Sequence, residues 1–273
     1  MFGKTNFVTM NILEKIIEQK RLEVRRNKQL VPESFLYMSR DYNRNCFSLK
    51  GALEEHPTGI IAEFKRKSPS KGWIHKDAVV YPMVMDYEVV GVAGISILTD
   101  EQFFGGSLDD LTRGRELVTC PLLRKDFIID DYQIVEAKSA GADVILLIAA
   151  CLTKDQVKDF SLTAKELGLE VLLEIHSEDE LGHICSAVDL VGVNNRDLKT
   201  FTVDLNRSIQ LASKIPAGKI LISESGLDTL EDIILLKKHG FSGFLIGEKF
   251  MKHKLPAMEC SLLIDRLNGE YEN

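Results

Sequence analysis

The stretch IIAEFKRKSPSKG, residues 60–72, begins as an apolar run and within a few positions adds one carboxylate and three cations. On an extended chain alternate side chains share a face. Ile61, Glu63, Lys65 and Lys67 therefore line one side, with Ile60, Ala62 and Phe64 on the other. A carboxylate beside ammonium groups can hold an anion or exchange protons with one. The arrangement recurs down the chain. Leu123 and Lys125 share a face in PLLRKDF, and Leu172, Glu174 and His176 share one in EVLLEIH, opposite Val171, Leu173 and Ile175. Gly192, Asn194 and Arg196 align in LVGVNNRD; ILISESG ends in Glu224, Ser225 and Gly226, and FLIGEKF in Gly247 and Glu248.

Any one of these residues reads equally well as a solvated rim charge or a structural ion pair, and His176 as a supporting residue. As a set they read differently. Gathering several unpaired charges in one enclosed place is costly unless pairing or function offsets it, which points to a working cavity. Gly226 and Gly247 would let a phosphate approach the backbone, although glycine turns between strand and helix are common in themselves. Ser225 would add a hydroxyl, and Lys67 and Arg196 the cations, so a phosphate monoester is the expected ligand group. Glu248 is expected to turn its carboxylate away from such an anion.

These groups need elements to hold them. Short β-branched-rich runs recur at GIIAEFK, GISILTD, PLLRKDF, DVILLIAA, EVLLEIH, LVGVNN, KILISES and GFLIGE. Charged segments with apolar residues at helical spacing, such as LDTLEDIILLKKHG, lie between them. Eight strands at intervals of about 26 residues suit a (β/α)8 TIM barrel. Active sites of such barrels sit at the C-terminal strand ends, where the charges fall. An open dinucleotide-binding sheet is the weaker option, because neither a Gly-x-Gly-x-x-Gly after the first strand nor a phosphate-loop motif is present. Ahead of the barrel, ILEKIIEQKRLEVRR reads as an amphipathic helix and SLKGALEEHP as a short helix ended by Pro57. The division expected is an N-terminal extension over 1–50 and a catalytic barrel over 51–273.

The 273 residues and a net charge of −7 describe an ordinary globule that phosphate-rich surfaces would repel, so neither nucleic acid nor membrane is an expected partner. Five scattered cysteines imply reduced thiols in a cytoplasmic protein. The histidines form no metal-binding pattern, and no apolar run approaches membrane-spanning length. Met1 and Met10 both remain open as the true start.

IIAEFKRKSPSKG, SILTDEQFFGGS, LLRKDFIIDDYQI, LLEIHSEDEL, GVNNRDLKTF, ISESG and FLIGEKFM follow one another as in the indole-3-glycerol phosphate synthase family, which the chain resembles from about Ile12 onward. The resemblance implies cyclisation of 1-(2-carboxyphenylamino)-1-deoxyribulose 5-phosphate with loss of CO2 and water, without cofactor or metal. It also implies Lys125 as the acid at the ribulose carbonyl oxygen, with Glu63, Lys65, Glu174, Asn194 and Ser225 at the same site. Whether Lys125 or Lys65 donates in each step stays open. Neighbouring, partly desolvated lysines are expected to have lowered pKa values, and Glu174 is the expected base for dehydration. Phe104, Phe127 and Leu146 are candidates for an apolar wall and Lys65 for the aryl carboxylate, with the N-terminal helix over the mouth. A monomer is expected, with other tryptophan-pathway enzymes as possible partners. The competing readings are another phosphate-binding barrel enzyme of that pathway and a catalytically silent phosphate-ligand-binding barrel. The first lacks a suitably placed Cys/Asp pair, and the second does not explain the Glu63, Lys65, Lys125 and Glu174 set.

Overall fold

Eight apolar runs, each too short to make a stable helix, form the strands Ile60–Phe64, Gly94–Leu98, Leu122–Lys125, Val144–Ile148, Glu170–Ile175, Leu190–Asn194, Ile220–Glu224 and Phe241–Ile246. In the computed structural model, which describes residues 10–197 and 202–271, these strands are all parallel and pair in chain order. The first strand then pairs with the last, Ile60 against Phe244, to close a barrel. This is the (β/α)8 TIM barrel that the strand rhythm predicts.

Alternation along the strands sorts side chains into two environments. Ile60, Ala62, Phe64, Ile95, Ile97, Val171 and Leu173 face outward into a continuous layer with the surrounding helices. Ile61, Leu123, Val144, Leu146, Leu172, Leu190, Ile222 and Leu245 fill the interior. The base is plugged by the helix Leu49–Glu55, whose N-cap Ser48 accepts from the Gly51 N–H. Its Leu49 and Leu53 are buried in the interior cluster, each contributing about 2 kcal/mol by burial. This helix straddles the division at residue 51.

At the other end lies the N-terminal helix, Ile12–Leu30, started by a reciprocal cap between Asn11 and Glu14. Its buried stripe is Ile16, Lys20 and Val24, four residues apart each time. Residues 1–9, including one alternative start, lie outside the described residues. After the first strand the chain makes a small hairpin, Lys67–Ser68 against Gly72–Trp73, where the sequence suggests only a polar turn. The five cysteines are all free, and no described helix is long and apolar enough to cross a membrane.

Candidate active site

The barrel places its inward residues in layers contributed by alternate strands. Strands one, three, five and seven supply an apolar layer, Ile61, Leu123, Leu172 and Ile222. Two residues further along the same strands stand Glu63, Lys125, Glu174 and Glu224, at the mouth. All four line one cavity of about 420 Å³. Lys125 Nζ lies 2.7 Å from Glu224 Oε2 and 3.5 Å from Glu174 Oε2, and Lys65 Nζ lies 2.5 Å from Glu63 Oε1. Asn194 Nδ2 donates to Glu174 Oε1 at 3.1 Å, and Asn194 Oδ1 accepts from the Arg196 N–H.

Three carboxylates around one ammonium set the protonation states. Burial opposes the charge on Lys125, but Glu224, Glu174 and Glu63 outweigh it and hold its pKa above the usual lysine value. The expectation of a lowered value thus fails. That expectation supposed lysine neighbours, and the fold surrounds Lys125 with anions instead. Glu174 is also opposed by burial, yet Lys125, His176 and Asn194 keep it below the usual carboxylate range. His176 meets Glu174 Oε1 at 3.1 Å and Glu180 Oε2 at 3.5 Å. Despite its burial, those carboxylates push its pKa up to about 10. Glu224 is the under-compensated member: burial and the neighbouring Glu174 push it up to about 7 against the pull of Lys125. Its Oε1 is buried without a hydrogen-bond partner.

Two glycines make room for this ring. A Cβ on Gly192 would sit 2.2 Å from Glu224 Oε1, and one on Gly247 would sit 2.4 Å from Glu63 Oε1. Gly247 thus serves the carboxylate layer as well as the corner after the last strand. The other glycine-bearing corner contains Ser225, the one non-glycine residue at positive φ among the described residues, followed by Gly226. Holding a serine at φ 67° costs on the order of 1 kcal/mol, a strain that persists where the surroundings impose it. Arg196, Ser225, Gly226, Gly247 and Glu248 all line the cavity, and so does Lys71. Glu248 does not turn away. Its carboxylate lies 3.5 Å from Arg196 and 3.9 Å from Lys71, because the cations of this corner attract it.

Lys67 requires correction. It does not line the cavity; its Nζ donates to the Gln102 carbonyl at 2.8 Å and sits over the Trp73 ring. Strand alternation ends at Phe64, and the hairpin redirects residue 67. Phe104, Phe127 and Leu146 do reach the cavity, with the two rings 6.0 Å apart. They join Leu98, Ile148 and, from the N-terminal helix, Ile12, Leu13 and Ile16 in one apolar wall. Glu224, one of the strand-end groups read from ILISESG but given no role at the site there, follows Ile222 as Glu63 follows Ile61. The signal was the same alternation. Lys71, on a loop, has no periodic signal.

Solved structures share the architecture. A mutant tryptophan synthase alpha-subunit from Pyrococcus furiosus superposes with a TM-score of 0.58 over 78% of this chain and 98% of its own, at 14% identity. 3-Hexulose-6-phosphate synthase from Salmonella typhimurium gives 0.62 over 78% and 99%, at 13% identity. At such identity the likeness concerns the fold alone. Sequence relatives are nearer. The indole-3-glycerol phosphate synthase of Bacteroides thetaiotaomicron is 49% identical over 90% of this chain and 95% of its own. That of Caldanaerobacter subterraneus subsp. tengcongensis is 45% identical over 88% and 93%, and that of Bordetella pertussis 39% over 93% and 99%. With the family model for indole-3-glycerol phosphate synthase matching residues 13–261 as well, the chain belongs to the indole-3-glycerol phosphate synthase family.

Proposed function

We propose that this protein cyclises 1-(2-carboxyphenylamino)-1-deoxyribulose 5-phosphate to indole-3-glycerol phosphate, releasing CO2 and water, as a step of tryptophan biosynthesis. The observation that carries the reading is the set of surfaces around the mouth. The apolar wall rises from strands two to four and the N-terminal helix, the glycine corners from strands seven and eight, and the charged residues come from alternate strands all round the same mouth. The substrate has a group for each: aryl ring, phosphate, ketose carbonyl.

Lys125, kept protonated by its carboxylates, donates to the carbonyl oxygen while the ring carbon bearing the carboxylate attacks the carbonyl carbon. Positive charge then develops on the arylamine nitrogen, and the anionic ring stabilises it. The C–CO2 bond breaks and its electrons quench that charge; loss of the new hydroxyl as water, with a proton from the adjacent carbon, completes the indole. A base for that proton works best with a pKa near the ambient pH. Glu174, which accepts from Asn194 and lies 3.5 Å from Lys125, and Glu224, 2.7 Å from Lys125 and raised by its burial, are the two candidate bases. Lys65 and Lys125 remain the two candidate acids, Lys65 also meeting the aryl carboxylate. Asn194 aims Glu174, and Ser225, Gly226, Gly247 and Arg196 receive the phosphate. Phe104, Phe127 and Leu146 hold the ring.

The free thiols suit a cytoplasmic setting. Mixing purified protein with the substrate and following indole fluorescence tests the reading. Emission should grow with time in proportion to enzyme. Saturable binding without growth would leave a silent barrel and end the proposal.

A further inference from the structure

The N-terminal helix carries a lysine where its buried stripe calls for an apolar residue. Lys20 falls four residues after Ile16 and four before Val24, and its side chain is 0% exposed. Its Nζ lies 3.0 Å from Asp100, 2.8 Å from Asp126 and 3.0 Å from Glu23. The first two are on the barrel, and their positions matter. Asp100 caps the short helix Glu101–Phe104 through the Phe103 N–H, and that helix ends in Phe104. Asp126 separates Lys125 from Phe127, accepts the Phe127 N–H, and is held below by Thr99 and Arg124. On the helix itself, Ile16 lies one turn before Lys20, preceded by Ile12 and Leu13, all on the cavity.

We propose that Lys20 is a positioning residue that assembles the aryl-binding wall. A single ammonium joins the three pieces of backbone that carry it: the lid helix, the Phe104 helix and the Lys125–Phe127 turn. A point charge with three donors suits this task, since it satisfies carboxylates approaching from different directions. An apolar side chain would bury as well but would fix no register between helix and barrel. It would also leave Asp100 and Asp126 without their common counter-charge. Among the described residues, no hydrogen bond or ion pair links this cluster to the phosphate corners on strands seven and eight, so the lysine should govern one end of the ligand and not the other.

The inference rests on the proposed activity for its substrate, and the wild-type protein must first turn that substrate over; failure there concerns the activity alone. Lys20→Met should then raise KM at least tenfold while kcat changes less than threefold. The inhibition constant of inorganic phosphate should stay within twofold. An unchanged KM overturns the proposal, and so does a parallel loss of phosphate affinity, which would mean general loosening. If Lys20→Met does not fold, Asp100→Asn serves, because an amide oxygen can still cap the helix while the charge is gone. It should give the same split, and an unchanged KM in that variant also overturns the proposal.

Discussion

Arg124 and Lys125 are neighbours on one strand, both cations, both enclosed, and both paired to carboxylates, yet they face opposite sides of the barrel wall. Arg124 points outward and every arm of its guanidinium is used. Nε donates to Thr99, Nη1 to the Gln133 carbonyl, and Nη2 to Asp126 at 3.2 Å and Glu136 at 2.8 Å. No side-chain polar atom of Arg124, Asp126 or Glu136 is buried without a hydrogen-bond partner. Asp126, despite its burial, is drawn down to about 2 by Lys20 and Arg124. Lys125 points inward to three carboxylates, and one of them, Glu224, retains an unpartnered oxygen and a pKa pushed up to about 7. Buried charge is therefore not what separates a site from scaffolding. The separation lies in whether compensation is complete: a matched cluster has no reason to exchange protons at neutral pH, and an under-compensated one does.

The sharpest way to break this comparison is to replace each cation by a similar apolar side chain. Lys125→Met should lower kcat by about 10³-fold with a smaller loss of stability, because Glu224 can take up a proton when its counter-charge is removed. Arg124→Met should do the reverse, losing about 3–5 kcal/mol of stability in urea titrations while the folded fraction keeps kcat within a few fold. Equal loss of stability in both variants would erase the distinction.

Glu224→Gln sharpens it. A carboxyl whose folded pKa lies above its unfolded value binds its proton more tightly when folded, so wild-type stability should decline from about pH 4.5 to about 7 and then level off. The amide lacks that decline. The variant should therefore be more stable than wild type at pH 8, by about 3 kcal/mol, with no advantage at pH 4, while kcat falls about 10²-fold. A variant less stable at pH 8 would make Glu224 merely the structural partner of Lys125.

The smallest effect concerns the phosphate corner. Glu248 is more than a third exposed and at the long end of ion-pair range from Arg196 and Lys71, so its competition with an incoming anion is weak. Glu248→Ser should tighten inhibition by inorganic phosphate about threefold. Weakened inhibition would show that the carboxylate organises the two cations instead.

Much of this was open to reading in the chain. The apolar runs and their intervals impose strands that alternate with helices, and the period of two places Glu63, Glu174 and Asn194 on the inward face without any knowledge of partners. The same period puts Glu224, two residues after Ile222, on that face, whereas its place at a strand end gives it no role of its own. It fails at Lys67 because a strand's alternation holds only while the ladder continues, and KRKSPSKG marks a turn without showing that its arms pair.

The amino-acid sequence by itself determined the barrel, the inward register and the residue types gathered at the mouth, because periodicity and β-branching are local properties. Only the tertiary structure decided which charges meet. It alone set three carboxylates around Lys125 and raised Glu224, matched Arg124 on the far side of the same strand, and brought Lys20 to Asp100 and Asp126. The reason is that a pKa or an ion pair depends on distances between residues far apart in the chain, and those distances exist only once the barrel has closed.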